Sequence, residues 1–295
     1  MTTLLSSETA GPRVGIWCSG LRSGPAADIA AAAAELEELG YRSLWVPDAG
    51  GDLYADVERL LDATSTIVVG TGILNIWHRD PREAADWYHR MTERFGPRLV
   101  IGLGVSHRET VGATRDYSNP MAAMGSFLDG LDGAPRPLGG SERILAALGP
   151  RMLELAAQRS SGVHPYNTTP EHTALARAAV GPSGLVVPEQ TMVLSSDPAA
   201  ARAAGRRFLA IYLGMANYVN NWRRLGFDDA DFVDGGSDRL VDAIVPWGDE
   251  EVVASHVSAH LDAGASQVLA QVIDTEGAPL PRAQWRALSE VLLAL

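Results

Sequence analysis

The sequence predicts an α/β protein of the (β/α)8-barrel class, and three observations predict it. Eight short apolar runs alternate with stretches that carry helix caps or helical periodicity, and such alternation builds a parallel sheet. The third run, Ile67–Ile76 (IVVGTGILNI), is apolar on both faces, which suits a doubly covered parallel strand and not an open antiparallel sheet. Eight strand–helix units in 295 residues fit a closed barrel better than a doubly wound sheet.

The expected strands are Val14–Cys18, Ser43–Pro47, Ile67–Ile76, Leu99–Ser106, Ile144–Leu148, Gly162–Tyr166, Leu185–Leu194 and Ser266–Ile273. Residues 25–39 read as a helix with Pro25 in its first turn and Gly40 as its stop. Asp80 caps the next, with Pro81 at its first position and its end near Phe95. Further helices are expected from about Asn119 to Leu131, over Pro150–Ser160 and Pro170–Val180, after Asp197–Pro198 with a break near Leu213–Gly214, and over Ser237–Trp247, Asp249–Ala263 and Pro281–Leu295. Gly130–Ser141 (GLDGAPRPLGGS) reads as a loop between the barrel halves. The stretch from Tyr212 to Asp238 interrupts the rhythm and reads as an insertion that covers the active face or makes a subunit contact. Residues 1–295 are thus expected to form a single barrel domain with an insertion at about 212–238.

Composition narrows the function. Hydrophobic residues are 46 % and charged residues 20 % of the chain, as in a globular protein. A net charge of -12 argues against broad contact with nucleic acid or an anionic membrane. All basic residues are Arg, which removes Schiff-base and Walker-lysine chemistry. Cys18 is the single cysteine, so the chain has no internal disulfide and no thiolate-rich zinc site, and a cytoplasmic setting is expected. The stretch MTTLLSSETAGPR lacks a charged region followed by an apolar one, so a signal peptide is not expected, and no run reaches the roughly 18 apolar residues of a membrane span.

Active sites of such barrels lie at the C-terminal ends of the strands. That rule selects Cys18 and Ser19, Pro47 and Asp48, Asn75 to His78, Ser106 and His107, His164, and Glu189 with Gln190. Each taken singly is as well read as a solvated loop start. Gly102-Leu-Gly104 lacks the third glycine of a dinucleotide fingerprint, since His107 stands there; its glycines serve close strand packing or the approach of a ligand ring. Leu148-Gly149-Pro150-Arg151 is a strand end, a turn and a helix start, a place where free N–H groups and the helix dipole bind phosphate. An ordinary βα turn with a surface arginine is the alternative. Trp17, Trp45 and Trp77 near strand ends suit either a pocket for a planar ring or barrel packing. Neither an HExxH metal motif nor a GxSxG elbow is present.

The run Gly70-Thr-Gly-Ile-Leu-Asn75, the later Gly102-Leu-Gly104-Val-Ser106, and Leu148-Gly-Pro-Arg-Met-Leu-Glu-Leu-Ala-Ala157 leading into Ser161-Gly-Val163 resemble the luciferase-like monooxygenase superfamily, and within it the deazaflavin (F420)-dependent oxidoreductases. The resemblance runs from Arg13 to Ile273. It implies a TIM barrel of the bacterial luciferase-like type with the cofactor ring in its mouth. It also implies a bulge in the third strand, often with a cis non-prolyl peptide, within Gly72–Asn75. The implied cofactor contacts are Gly72, Ile73, Leu74 and Asn75 at the bulge, Gly104, Val105 and Ser106 at the fourth strand, Gly149, Pro150 and Arg151 at the phosphate turn, and His164. Sugar-phosphate dehydrogenases of the family carry Asp-His after the second strand; this chain has Asp48-Ala49, which puts that alcohol oxidation in doubt.

The leading expectation is hydride transfer between F420 and a small organic substrate, with His107 handling the proton and Asp48 orienting hydroxyl groups. An FMN-dependent two-component monooxygenase fed by a cofactor-reducing enzyme is the alternative, and a non-catalytic flavin or deazaflavin carrier is a third reading. The family further implies a homodimer.

Overall fold

The computed structural model describes residues 13–111 and 117–295. The N-terminal stretch, up to residue 12, lies outside the described residues. Eight strands form the barrel: β1 (Val14–Trp17), β2 (Ser43–Val46), β3 (Val68–Thr71, continued at Leu74–Asn75), β4 (Leu99–Gly104), β5 (Arg143–Leu145), β6 (Gly162–Val163), β7 (Leu185–Val186 and Glu189–Leu194) and β8 (Val268–Val272). Neighbours pair in parallel around the ring, from β1 with β2 through to β5 with β6. The two pieces of β7 close it: the first pairs with β6, the second with β8, and β8 pairs with β1. A two-residue strand, Trp247–Gly248, extends the outer end of β7.

The helices begin where the sequence places their caps. The Asp80 carboxylate accepts the N–H groups of Arg82 and Glu83 at the start of Pro81–Phe95, satisfying donors that a helix leaves free. Helices Pro120–Asp132, Pro150–Arg159, Pro170–Val180 and Pro198–Leu213 also open on proline, whose missing N–H costs nothing at that position. Gly40 ends helix Ala26–Leu39 with φ 100°, a left-handed conformation natural to glycine. The expected break at Leu213–Gly214 is present, and helix Ala216–Arg224 follows it.

The sixth strand ends at Val163 and not at Tyr166, the seventh is broken after Val186, and the helix expected over Ser237–Trp247 spans Asp238–Ile244. Helix Leu53–Asp62 was not foreseen between the second and third strands, although Asp52 caps it and Leu53, Val57, Leu60 and Leu61 are buried. β5 starts at Arg143 and ends at Leu145, shorter than Ile144–Leu148.

Three apolar clusters hold the molecule. One fills the layer between strands and helices and includes Ile16, Leu44, Leu74, Leu103 and Trp285. A second fills the barrel interior with Trp17, Trp45, Val68, Val100, Ile144, Leu185, Val187 and Leu269. Trp45, fully buried, fits there because Gly70 has no side chain: a Cβ at residue 70 would lie 2.4 Å from the indole. The third lies under the segment after β7 and includes Leu209, Tyr218, Trp222, Leu240 and Ile244. Among the described residues no helix is long and apolar enough to cross a membrane.

Candidate functional site

The third strand breaks between Thr71 and Leu74, and the Gly72–Ile73 peptide is cis. This is where the resemblance implied a bulge. The neighbouring strands brace it. Asp48, at the end of β2, donates its N–H to the Ile73 carbonyl (3.0 Å), and its carboxylate accepts the Asn75 N–H (3.2 Å). The Asp48 side chain is only 2 % exposed, and His78 Nδ1 stands 3.7 Å away. Asn75 accepts the Trp77 N–H, and the Trp77 indole donates to the Val105 carbonyl at 2.7 Å.

The glycines at this bulge are spoken for by protein. A Cβ on Gly72 would stand 2.5 Å from Trp17 Nε1 and 3.1 Å from His164 Nε2. The space that a Gly72 side chain would enter holds Trp17 and His164, and the Trp17 indole donates to the Gly72 carbonyl. Gly102 and Gly104 likewise give way to packing, the first against the Thr71 carbonyl (2.1 Å from a Cβ), the second against Ile73 Cγ1 (2.6 Å). Leu74 is buried in the strand–helix layer.

β4 ends in Val105, Ser106 and His107. Ser106 adopts φ 54°, and its carbonyl accepts the Tyr117 hydroxyl (2.9 Å). His107 is half-buried, and its Nδ1 lies 3.0 Å from Asn217 Oδ1. An amide oxygen only accepts, so Nδ1 carries the proton and Nε2 is left as an acceptor. Burial lowers the His107 pKa, opposed by the Asn217 bond and the Glu109 charge. The ring therefore favours its neutral form near pH 7.

His164, at the end of β6, is 1 % exposed. Its Nδ1 donates to the Val187 carbonyl (2.7 Å), its ring lies 5.1 Å from that of Trp45, and its Nε2 has no partner among the described residues. Burial pushes its pKa down to about 4. Glu189 is fully buried on β7, accepts from Thr191 and from the Asn167 N–H, and is pushed up to about 8 by desolvation. Gln190 points the other way and bonds His260 (2.7 Å) between the barrel and its helices.

The segment from Tyr212 onward covers the mouth. Tyr218 on helix Ala216–Arg224 lies 5.2 Å from the His107 ring and 5.0 Å from Tyr212 (centroid to centroid). The Tyr212 and Tyr166 hydroxyls are 3.0 Å apart, and Tyr166 donates to Gln271. The Glu109 carboxylate accepts the Ala216 N–H that opens the covering helix.

At the Gly149 turn, helix Pro150–Arg159 starts with no side-chain cap. Arg151 is exposed. A second arginine, which the sequence did not single out, stands at the same turn: Arg224 Nη2 lies 3.7 Å from where a Cβ on Gly149 would be. Nearby Asn167, Thr168 and Asn221 are each 1 % exposed. The Asn167 amide, the Thr168 hydroxyl and Asn221 Nδ2 have no partner among the described residues. These residues are distant in sequence and follow no spacing rule, so only the fold reveals them together.

Comparison with known proteins places this geometry. Residues 12–134 match the family model described as luciferase-like monooxygenase. The chain is similar to the 5,10-methylenetetrahydromethanopterin reductase of Methanolobus tindarius, at 26 % identity over 84 % of this chain and 91 % of the relative. Its fold is shared with the coenzyme F420-dependent tetrahydromethanopterin reductase of Methanopyrus kandleri (TM-score 0.74, 19 % identity, 95 % and 98 % of the two chains). It is also shared with the FMN-bound oxygenating constituent of 3,6-diketocamphane monooxygenase from Pseudomonas putida (TM-score 0.67, 12 % identity, 96 % and 98 %).

Proposed function

From a chain with the luciferase-like barrel, matched to that family's model through its first four strands, we propose an oxidoreductase that transfers hydride between coenzyme F420 and a small organic substrate. The observation that carries this reading is the seam of buried, partnerless polar groups beside an uncapped helix start: Asn167, Thr168 and Asn221 next to the Gly149–Pro150 turn. Buried polar groups are normally satisfied, and a phosphorylated polar chain supplies what these lack. The 26 % identity to an enzyme named as a methylenetetrahydromethanopterin reductase favours the deazaflavin over FMN.

When bound, such a cofactor supplies or accepts the hydride. The chain's own residues do the rest. Ile73 at the bulge and Val105–Ser106 at the end of β4 back the ring, while Gly149, Pro150 and Arg151 face its phosphate. Asp48 holds the bulge in place through the Asn75 N–H. His107 handles the proton, taking it at Nε2 when substrate is oxidised and returning it in reverse. Tyr212 and Tyr218 cover the mouth and exclude water.

An FMN-dependent monooxygenase is the second reading, favoured by the family description and by the FMN-bound neighbour. Saturable binding of F420, followed by a substrate screen that records F420 absorbance, tests the proposal; a protein that binds FMN alone supports the second reading.

A further inference from the structure

We infer that the covering helix supplies the cation for the phosphate end of the site: Arg224 and Asn221, with the start of helix Pro150–Arg159, form a cradle for a phosphate ester. This rests on the reading of the Gly149 turn as the polar end of the cofactor site. It adds that half of that site is carried by the segment after β7, and that Arg224, not Arg151, is its principal cation.

Four observations converge. The helix has ten residues, and Gly149 caps it without a side chain; Pro150 has no N–H and Met152 and Leu153 donate to the Gly149 carbonyl, so the Arg151 N–H and the helix dipole are what this end offers an anion. His172, 1 % exposed, bonds the Leu148 carbonyl through Nε2 (2.9 Å) and fixes the residue before the turn. Arg224 Nη2 sits 3.7 Å from the Cβ position of Gly149 and donates to Asn221 Oδ1 at 3.2 Å. Asn221 is 1 % exposed and its Nδ2 has no partner, a buried donor beside the arginine that a phosphate oxygen would satisfy.

The cradle is continuous with the barrel. Trp222, next to Asn221, donates its indole N–H to the Asn167 carbonyl (3.0 Å). The Asn167 backbone is thus tied to the covering helix, and the partnerless Asn167 amide and Thr168 hydroxyl are donors and acceptors for the hydroxyl groups that would precede a phosphate. Arg224 is on the surface except for these contacts, so replacing it does not threaten the fold.

Inorganic phosphate is the probe, titrated into the wild type, Arg224→Gln and Arg151→Gln and followed by calorimetry. A charge-assisted hydrogen bond is the strong kind, so Arg224→Gln is expected to raise the phosphate dissociation constant about 10-fold or more and Arg151→Gln less than about 3-fold. A loss at Arg151 equal to or larger than that at Arg224 overturns the inference, as does an unchanged constant in Arg224→Gln or the absence of saturable phosphate binding by the wild type. FMN against riboflavin, and F420, form the second arm. If the ester occupies the cradle, phosphate competes with these cofactors and the Arg224→Gln loss is seen for FMN but not for riboflavin. Arg224-dependent phosphate binding by a protein that takes up neither cofactor leaves the cradle standing and removes the proposed function.

Discussion

Around the third-strand bulge, Asp48, Asn75, Trp77 and Tyr117 hydrogen-bond to the backbone of neighbouring strand ends. Across the mouth, Asn167, Thr168 and Asn221 are equally buried, and the Asn167 amide, the Thr168 hydroxyl and Asn221 Nδ2 have no partner among the described residues. The first region is braced by protein, with the partnerless His164 Nε2 beneath Gly72. The second is incomplete as protein. Leaving a buried donor or acceptor unmet costs roughly 1–3 kcal/mol per group, so the second region is the one where a ligand has polar groups to satisfy.

The largest expected effect breaks the braced region. Gly72→Val drives two methyl groups into Trp17 and His164 and should lower stability by about 3 kcal/mol, the upper range of overpacking, as a fall in unfolding temperature. Gly72 is then a packing glycine first; a stable variant that fails only in cofactor binding would reverse that assignment.

The second effect concerns the hinge between the two regions, where His107 meets Asn217 of the covering helix. His107→Gln should lower turnover on an identified substrate by about 100-fold, the scale of losing a general acid or base. Because burial lowers the His107 pKa below its usual 6.5, the neutral base persists to lower pH. Substrate oxidation in the wild type should therefore rise with pH along a limb centred below 6.5. The glutamine variant should lack that limb. Full activity, or a limb that persists in the variant, would transfer the proton role to another group or to water.

The smallest effect sharpens the contrast. Asn221→Leu in the ligand-free protein should change stability by less than about 1 kcal/mol, because an amide whose Nδ2 is unmet and whose Oδ1 bonds only the exposed Arg224 is replaced by an apolar group of similar size. Cofactor affinity should fall all the same. A large destabilisation would mean that Asn221 belongs with the bulge residues, as part of the fold.

The sequence made the braced region partly legible. Its strands are apolar runs, its helix begins at Asp80-Pro81, and Gly70 to Asn75 carries the family pattern. What each glycine is for could not be read there. Gly72 and Gly70 are required by Trp17, His164 and Trp45, which come from other strands. Helix Leu53–Asp62 was missed although its Asp52 cap and its apolar spacing are visible. The seam was legible only at Gly149. Arg224, Asn221 and Asn167 reach it from a loop and a helix far along the chain, and a polar residue in such places reads as solvated surface until the fold buries it. The lowered pKa of His107 was equally invisible, because the burial behind it comes from Tyr218 and the covering helix.

Equilibrium titration of the purified protein with F420 and, separately, with FMN decides whether this barrel takes a deazaflavin. Saturable binding of F420, one per chain, is expected, with FMN at least about tenfold weaker, a difference of roughly 1.4 kcal/mol. Tight FMN binding with no F420 binding, or no binding of either, would contradict this expectation.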